Sequence, residues 1–109
     1  MLKLLFLFLS TLLIASVASA GELRIVDGLG LTRAVKSIGR DAKVVIVASA
    51  KGGAALQDLS LVHVDGLASD HEGVAQGEHH FVFNAVEEGA WKIKSSSPQV
   101  VVSEVKIVQ

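Results

Sequence analysis

The sequence predicts a small all-β domain, an antiparallel sandwich of about seven strands, over residues 21 to 109. Three observations carry that expectation. The stretch Phe81 to Lys94, FVFNAVEEGAWKIK, alternates with the two-residue period of a strand on either side of a glycine-bearing corner. The β-branched runs VVIV at 44 to 47 and VVVSEVKIV at 100 to 108 favour extended backbone. Ten glycines and recurrent Asp-Gly pairs punctuate the chain at short intervals, as turns between short strands do.

The chain opens on a segment of another kind. Lys3 precedes an apolar run from Leu4 to Ile14, and Ala18-Ser19-Ala20 supplies the small residues that a signal peptidase requires. Residues 1 to 20 therefore read as a cleaved secretory signal, the apolar run being shorter than the ~20 residues a spanning helix needs. The expected product is one domain, Gly21 to Gln109, periplasmic or secreted, with no stable membrane anchor after cleavage. Cysteine is absent although that destination is oxidising, so the fold must hold by its core alone. The whole chain carries a formal charge of −1, and loss of Lys3 leaves the mature domain more acidic by a single unit. No basic stripe remains to grip nucleic acid.

From Gly21 onward, Glu22 to Val26 alternates as a first strand and ends at the turn Asp27-Gly28-Leu29-Gly30. Two readings compete for the next segment. Leu31, Ala34, Val35 and Ile38 fall at helical spacing before Gly39, which predicts one short helix near 31–38, and a short edge strand fits as well. Lys43 to Ser49 is a central strand, Lys51 to Ala55 a loop, and Leu59 to Asp65 a further strand. Gly52-Gly53 lacks the spacing of a phosphate-binding loop, because Lys51 precedes the glycines. Leu67 to Glu78 is polar and reads as the longest loop, the expected place for function.

In the pivotal stretch, Phe81, Phe83 and Ala85 share one face under strand periodicity, and Val82, Asn84 and Val86 the other. Trp91 and Ile93 then face the core while Lys92 and Lys94 face water. Gly89 is the expected hinge at positive φ. Ser95 to Pro98 breaks the pattern, and the last strand, Val100 to Val108, places Val101, Val105 and Ile107 on one face. If that strand lies at a sheet edge, its lightly charged Val100-Val101-Val102 start is the place for a partner strand or an edge-strand homo-oligomer; the alternative is a position inside the sheet.

Phe81 and Phe83, the corner Asn84 to Gly89, and the alternating Trp91 and Ile93 resemble the closing corner of small Ig-like and prealbumin-like sandwiches. Carboxypeptidase regulatory-like domains and B-type repeats of bacterial surface proteins are examples. Glu87-Glu88 stands where those corners commonly hold prolines, Trp91 where they hold tyrosine, and Gln76 to His80 lacks their acidic-Gly turn. The resemblance implies an accessory or structural module of the envelope that binds a protein or a glycan.

Residues able to carry chemistry are few. His71, His79 and His80, with Asp70, Glu72 and Glu78 nearby, form the one cluster with metal-ligating side chains, and zinc or copper is the alternative cofactor they would hold. Their spacing matches no recognised zinc pattern, and adjacent strand residues His79 and His80 point to opposite faces, so a polar loop rich in histidine is the plainer account and no cofactor is expected. His63 reads as a half-buried strand residue. Without cysteine, a G-x-S-x-G elbow or a serine beside a histidine, nucleophilic catalysis has no starting point, and Glu87-Glu88 reads as a charged turn. The sequence thus predicts a non-enzymatic exported binding module acting through loops and an edge strand, with a periplasmic metal-binding protein as the alternative.

Overall fold

A computed structural model of the chain describes residues 21–109; the secretory-signal expectation falls on residues 1–20, outside the described residues. Nine strands follow one another among the described residues: β1 (Glu22–Val26), β2 (Thr32–Ser37), β3 (Ala42–Ala50), β4 (Ser60–His63), β5 (His71–Glu72), β6 (Val74–Ala75), β7 (His80–Val86), β8 (Gly89–Lys94) and β9 (Val100–Val108). They form a five-stranded sheet in the order β2-β1-β8-β4-β5 and a four-stranded sheet in the order β6-β7-β3-β9. All pairs are antiparallel except β1 with β8, which run parallel at the centre of the larger sheet. A single 3₁₀ turn at Lys51–Gly53 is the nearest thing to a helix among the described residues.

The pivotal stretch is a corner between sheets. β7 lies in the smaller sheet and β8 in the larger, so the phenylalanines and the tryptophan meet across the interior instead of side by side. Phe83 and Trp91 are fully buried and share one core cluster with Leu23 and Ile25 of β1, Val44 and Ile46 of β3, and Leu61 of β4. Each large aromatic side chain removes on the order of 150 to 250 Å² from water, and this pair contributes more than any other two residues.

The segment 31–38 is a strand, not a helix. Only Ile38 of its apolar residues is buried, whereas Leu31 and Val35 are exposed. A helix would have gained little by laying so small an apolar stripe on the sheets, while the β1 ladder satisfies the backbone directly. β3 is central in its sheet, between β7 and β9.

Three bulges reset the alternation. Val44 pairs with Phe83 and Ala42 with Val86, so Asn84 and Ala85 together oppose Lys43. This returns Val86 to the core face beside Phe83, both fully buried, and turns Ala85 out to solvent at φ 54°. In β9, Glu104 pairs with Val47 and Val102 with Ala48, leaving Ser103 unpaired. The core-facing residues are therefore Val100, Val102, Val105 and Ile107, and Val101 faces water, contrary to the uninterrupted period. In β2, Arg33 is the extra residue opposite Ile25 and Val26.

Sheet edges are closed by two devices. On one side the chain passes straight from β5 of the larger sheet to β6 of the smaller, through Gly73, whose N–H donates to the Leu59 carbonyl at 2.8 Å. The expected long loop 67–78 is thus largely a crossover. A Cβ on Gly73 would lie 2.7 Å from Phe83 Cζ and 3.0 Å from the Leu59 oxygen. On the other side β9 is an edge strand running alongside β2. Arg33 donates to the Val102 carbonyl at 2.9 Å, and the Gln109 side chain spans Gly39 N–H and the Arg40 carbonyl at 3.3 Å each. Bulges and a guanidinium cap are common protections of an exposed edge.

Gly73→Ala forces a methyl into the wall of a buried ring and is expected to cost about 2 to 3 kcal/mol in urea unfolding. Ala85→Gly removes a left-handed strain and should leave the domain about 0.5 to 1 kcal/mol more stable, whereas Ala85→Val should destabilise it.

Candidate functional site

Two groupings of polar side chains stand out, one at each end of β8. At its start, the bulge after Phe83 delivers Glu87 to the corner, where its backbone carbonyl accepts the Trp91 indole N–H at 2.9 Å. His71 of β5 places Nε2 2.5 Å from Glu87 Oε1. An ionised carboxylate only accepts, so the imidazole donates. His63 and His71 both meet the Trp91 ring in T-shaped fashion, with centroids 4.9 and 5.0 Å apart. Gly89, at φ 130°, lets His63 lie against the backbone, since a Cβ there would stand 2.6 Å from its Nε2. His63 Nδ1 in turn accepts the Asp65 N–H at 3.2 Å. The Glu87 carboxyl is held below the usual range by its own backbone N–H first and then by His71, which outweigh the effect of burial.

This grouping braces Trp91. Among the described residues neither imidazole shares a hydrogen bond with a hydroxyl; His63 bonds the Asp65 N–H and His71 the Glu87 carboxylate. Nor does it join the other histidines. His80 pairs with Val47 near the far end of β3, and six residues of strand, roughly 20 Å, separate it from Val86 next to Glu87. His79 lies beside Glu78 in the turn before β7 at φ 70°, with Nδ1 buried and unbonded. His80 Nδ1 contacts the Glu78 carbonyl at 3.1 Å. The structure thus divides His71 from His79 and His80, and among the described residues no three His, Asp or Glu side chains stand close enough to hold an ion.

At the other end of β8 a cleft of about 670 Å³ opens between the β1–β2 turn and the start of β9. One wall is the β1–β2 turn. Asp27 is 8% exposed, and its Oδ1 accepts the N–H groups of Leu29 at 2.9 Å and Leu31 at 3.0 Å while Oδ2 stands 3.6 Å from Arg33. Burial would raise its pKa, but the Leu31 and Leu29 N–H groups and Arg33 together hold it below the ordinary value. This clasp pushes Leu29 outward until it is 87% exposed.

The facing wall is the bend Ser95–Gln99 with the start of β9. Asp58, just before β4, organises it: its Oδ1 accepts from Ser96 Oγ at 2.7 Å, Ser96 N at 3.0 Å and Ser95 Oγ at 3.1 Å. The Ser96 hydroxyl and N–H hold the Asp58 carboxyl below its ordinary pKa. Ser95 Oγ also donates to the Asp58 carbonyl, and Ser97 N–H returns to Ser95 Oγ. The segment that breaks the strand pattern is thus a hydrogen-bonded shelf. Between the walls lie Arg33 and the end of β8, where Ile93 turns to the core and Lys92 and Lys94 to the exposed outer face of the sheet, and Val101 lines the side of β9.

Sequence reasoning placed function in the loop 67–78 and at the edge-strand start Val100–Val102; the latter lines this cleft, whose other wall it passed over. The signals were present: Leu29 inside a turn and SSSP in place of a simple hairpin. What joined them was the meeting of chain segments some 65 residues apart.

Comparison of the chain with protein-family models, with curated proteins and with solved structures finds no match.

The lowered Glu87 pKa means that its contribution to stability is complete above the unfolded carboxylate value, about 4.3, and is lost as pH falls through the folded value. Glu87→Gln is expected to have a shallower acid limb in a plot of urea midpoint against pH. Superimposable limbs for variant and parent would show that the His71–Glu87 contact does not stabilise the fold.

Proposed function

We propose that this chain is a non-enzymatic accessory or structural module of the cell envelope, exported to the periplasm or beyond, which binds a protein or glycan partner through loops and the first residues of its edge strand. The single observation that carries the reading is the cleft between the Asp27–Leu31 turn and the Ser95–Val102 segment. Its two walls are fixed by carboxylate clasps while Leu29 and Val101 stand 87% and 51% exposed at its mouth. Rigid walls around unsatisfied apolar side chains favour recognition, since little ordering remains to oppose binding.

The Phe81–Ile93 corner supports a prealbumin-like, carboxypeptidase regulatory-like form of sandwich, because its aromatic strand and its tryptophan strand lie in different sheets and close the core between them. The run Leu4–Ile14 and the Ala18-Ser19-Ala20 site support export.

Two experiments test this reading. Intact mass of the chain purified from its native host should place the new N-terminus at Gly21. A photo-crosslinking residue in place of Leu29, or of Val101, should give one discrete adduct in intact cells, with none from Lys43 on β3. Processed protein that yields no adduct at either cleft position would rule the cleft out as the binding surface.

A further inference from the structure

We infer that this chain forms a two-fold symmetric dimer through the β9 edge, where β9 of a second copy adds as an antiparallel strand; the inference goes beyond the module reading above and does not depend on it. β9 closes the four-stranded sheet and has a ladder on one side only, to β3. Two contacts fix which of its backbone groups face outward. Ala48 N–H donates to the His79 carbonyl at 2.9 Å, on the side of β3 away from β9, and the Val102 carbonyl opposite Ala48 accepts from Arg33. Ala48 and Val102 therefore form a pair without ladder bonds. Beyond the bulge, alternation then bonds Val47 to Glu104 and Val45 to Lys106, and turns the N–H and C=O groups of Val105 and Ile107 to the open rim.

The rim is self-complementary. A two-fold axis at Val105 pairs that residue with its own copy, each N–H donating to the other carbonyl, and sets Glu104 directly opposite Lys106 of the second copy on both sides of the axis. Both side chains lie on the exposed outer face of the sheet, Glu104 53% and Lys106 64% exposed, and within one chain they stand 3.8 Å apart. Dimerisation adds two cross-strand pairs of opposite charge. An in-register parallel arrangement would oppose Glu104 to Glu104 and Lys106 to Lys106, so charge selects the antiparallel one.

β2 fits the same axis. It runs beside β9 in the same direction, clipped at Arg33–Val102 and again at Gly39–Gln109, so its middle, Val35 and Lys36, stands beside Val105. Ile38 N–H donates to the Gly21 carbonyl at 2.9 Å, and alternation back from that bond turns Lys36 and Ala34 to β1 and leaves the backbone of Val35 on the outer rim. Its side chain is 45% exposed. Rotation about the axis brings Val35 toward Val35 of the second copy, apolar against apolar. The opposite side of the sandwich offers no comparable rim, since β5 and β6 are two residues long.

The test is sedimentation equilibrium of the chain expressed in and purified from its native host, over about 1 to about 500 µM. A reversible monomer–dimer equilibrium is expected. Lys106→Glu opposes glutamates on both sides of the axis and Glu104→Lys opposes lysines, and each should weaken the dimer about tenfold or more. The double exchange Glu104→Lys/Lys106→Glu should recover the parental affinity, and an equimolar mixture of the two single variants should form a heterodimer. Lys92→Glu, on the outer face of the other sheet, should associate like the parent. All three positions are exposed, and unchanged thermal unfolding of the monomer confirms that the fold is intact. A monomer throughout the range, or a dimer indifferent to both single variants, overturns the inference. Failure of the double exchange to recover what the single variants lose overturns the antiparallel pairing on which it rests. A monomer leaves the module reading standing.

Discussion

The indole of Trp91 is enclosed between two sheets, and its one polar group must find a partner inside that enclosure. Glu87 supplies it through a backbone carbonyl four residues back, across the corner that carries the chain from β7 to β8. A buried N–H left without an acceptor would cost a large share of the stability of a domain with no disulfide. The corner therefore has to turn at one place and in one way, and much of the fold follows from that turn. The bulge at Asn84–Ala85 brings Val86 back to the core and accepts a left-handed alanine to do so. Gly89 leaves room for His63, and His63 and His71 pack on the edges of the same indole.

A sandwich of this size has little core to spare, and each sheet edge carries unpaired backbone groups. The two sides of the molecule shorten or cap their edges in different ways. At β5 and β6 the strands are two residues long and belong to one continuous crossover, so each edge ends almost as soon as it starts. At β2 and β9 the strands are longer, and each carries a bulge near the point where Arg33 caps Val102. That clip joins the sheets without a ladder. Beside it lies the cleft, lined by the β1–β2 turn and the start of β9.

The two ends of β8 thus have different chemistry. At its start, titratable groups turn inward on Trp91 and on each other. At its end, two aspartates spend their oxygens on backbone and serine donors and fix the walls, while the cations Lys92 and Lys94 are left facing solvent. The carboxylates of Asp27 and Asp58 act as clasps, while Leu29 and Val101 remain exposed beside them.

Alternation made much of the strand content legible in the sequence, because the two-residue period is a property of each strand alone: the limits of β1 and the burial of Phe81, Phe83, Trp91 and Ile93 follow from it, while the unbroken β-branched run 44–47 marks β3 as central. Three features were beyond its reach. Val86 and Val101 change faces because a bulge is a relation between two strands, visible only in the register of Ala42 with Val86 or Ala48 with Val102. The strand at 32–37 displaces a helix of equal local merit because β1 offers it a ladder. The cleft, and the separation of His71 from His79 and His80, depend on which segments distant in sequence share an end of the sandwich. Local periodicity by itself determined an all-β chain and its core residues; pairing between strands, which no local pattern encodes, decided the faces, the edges and the cleft.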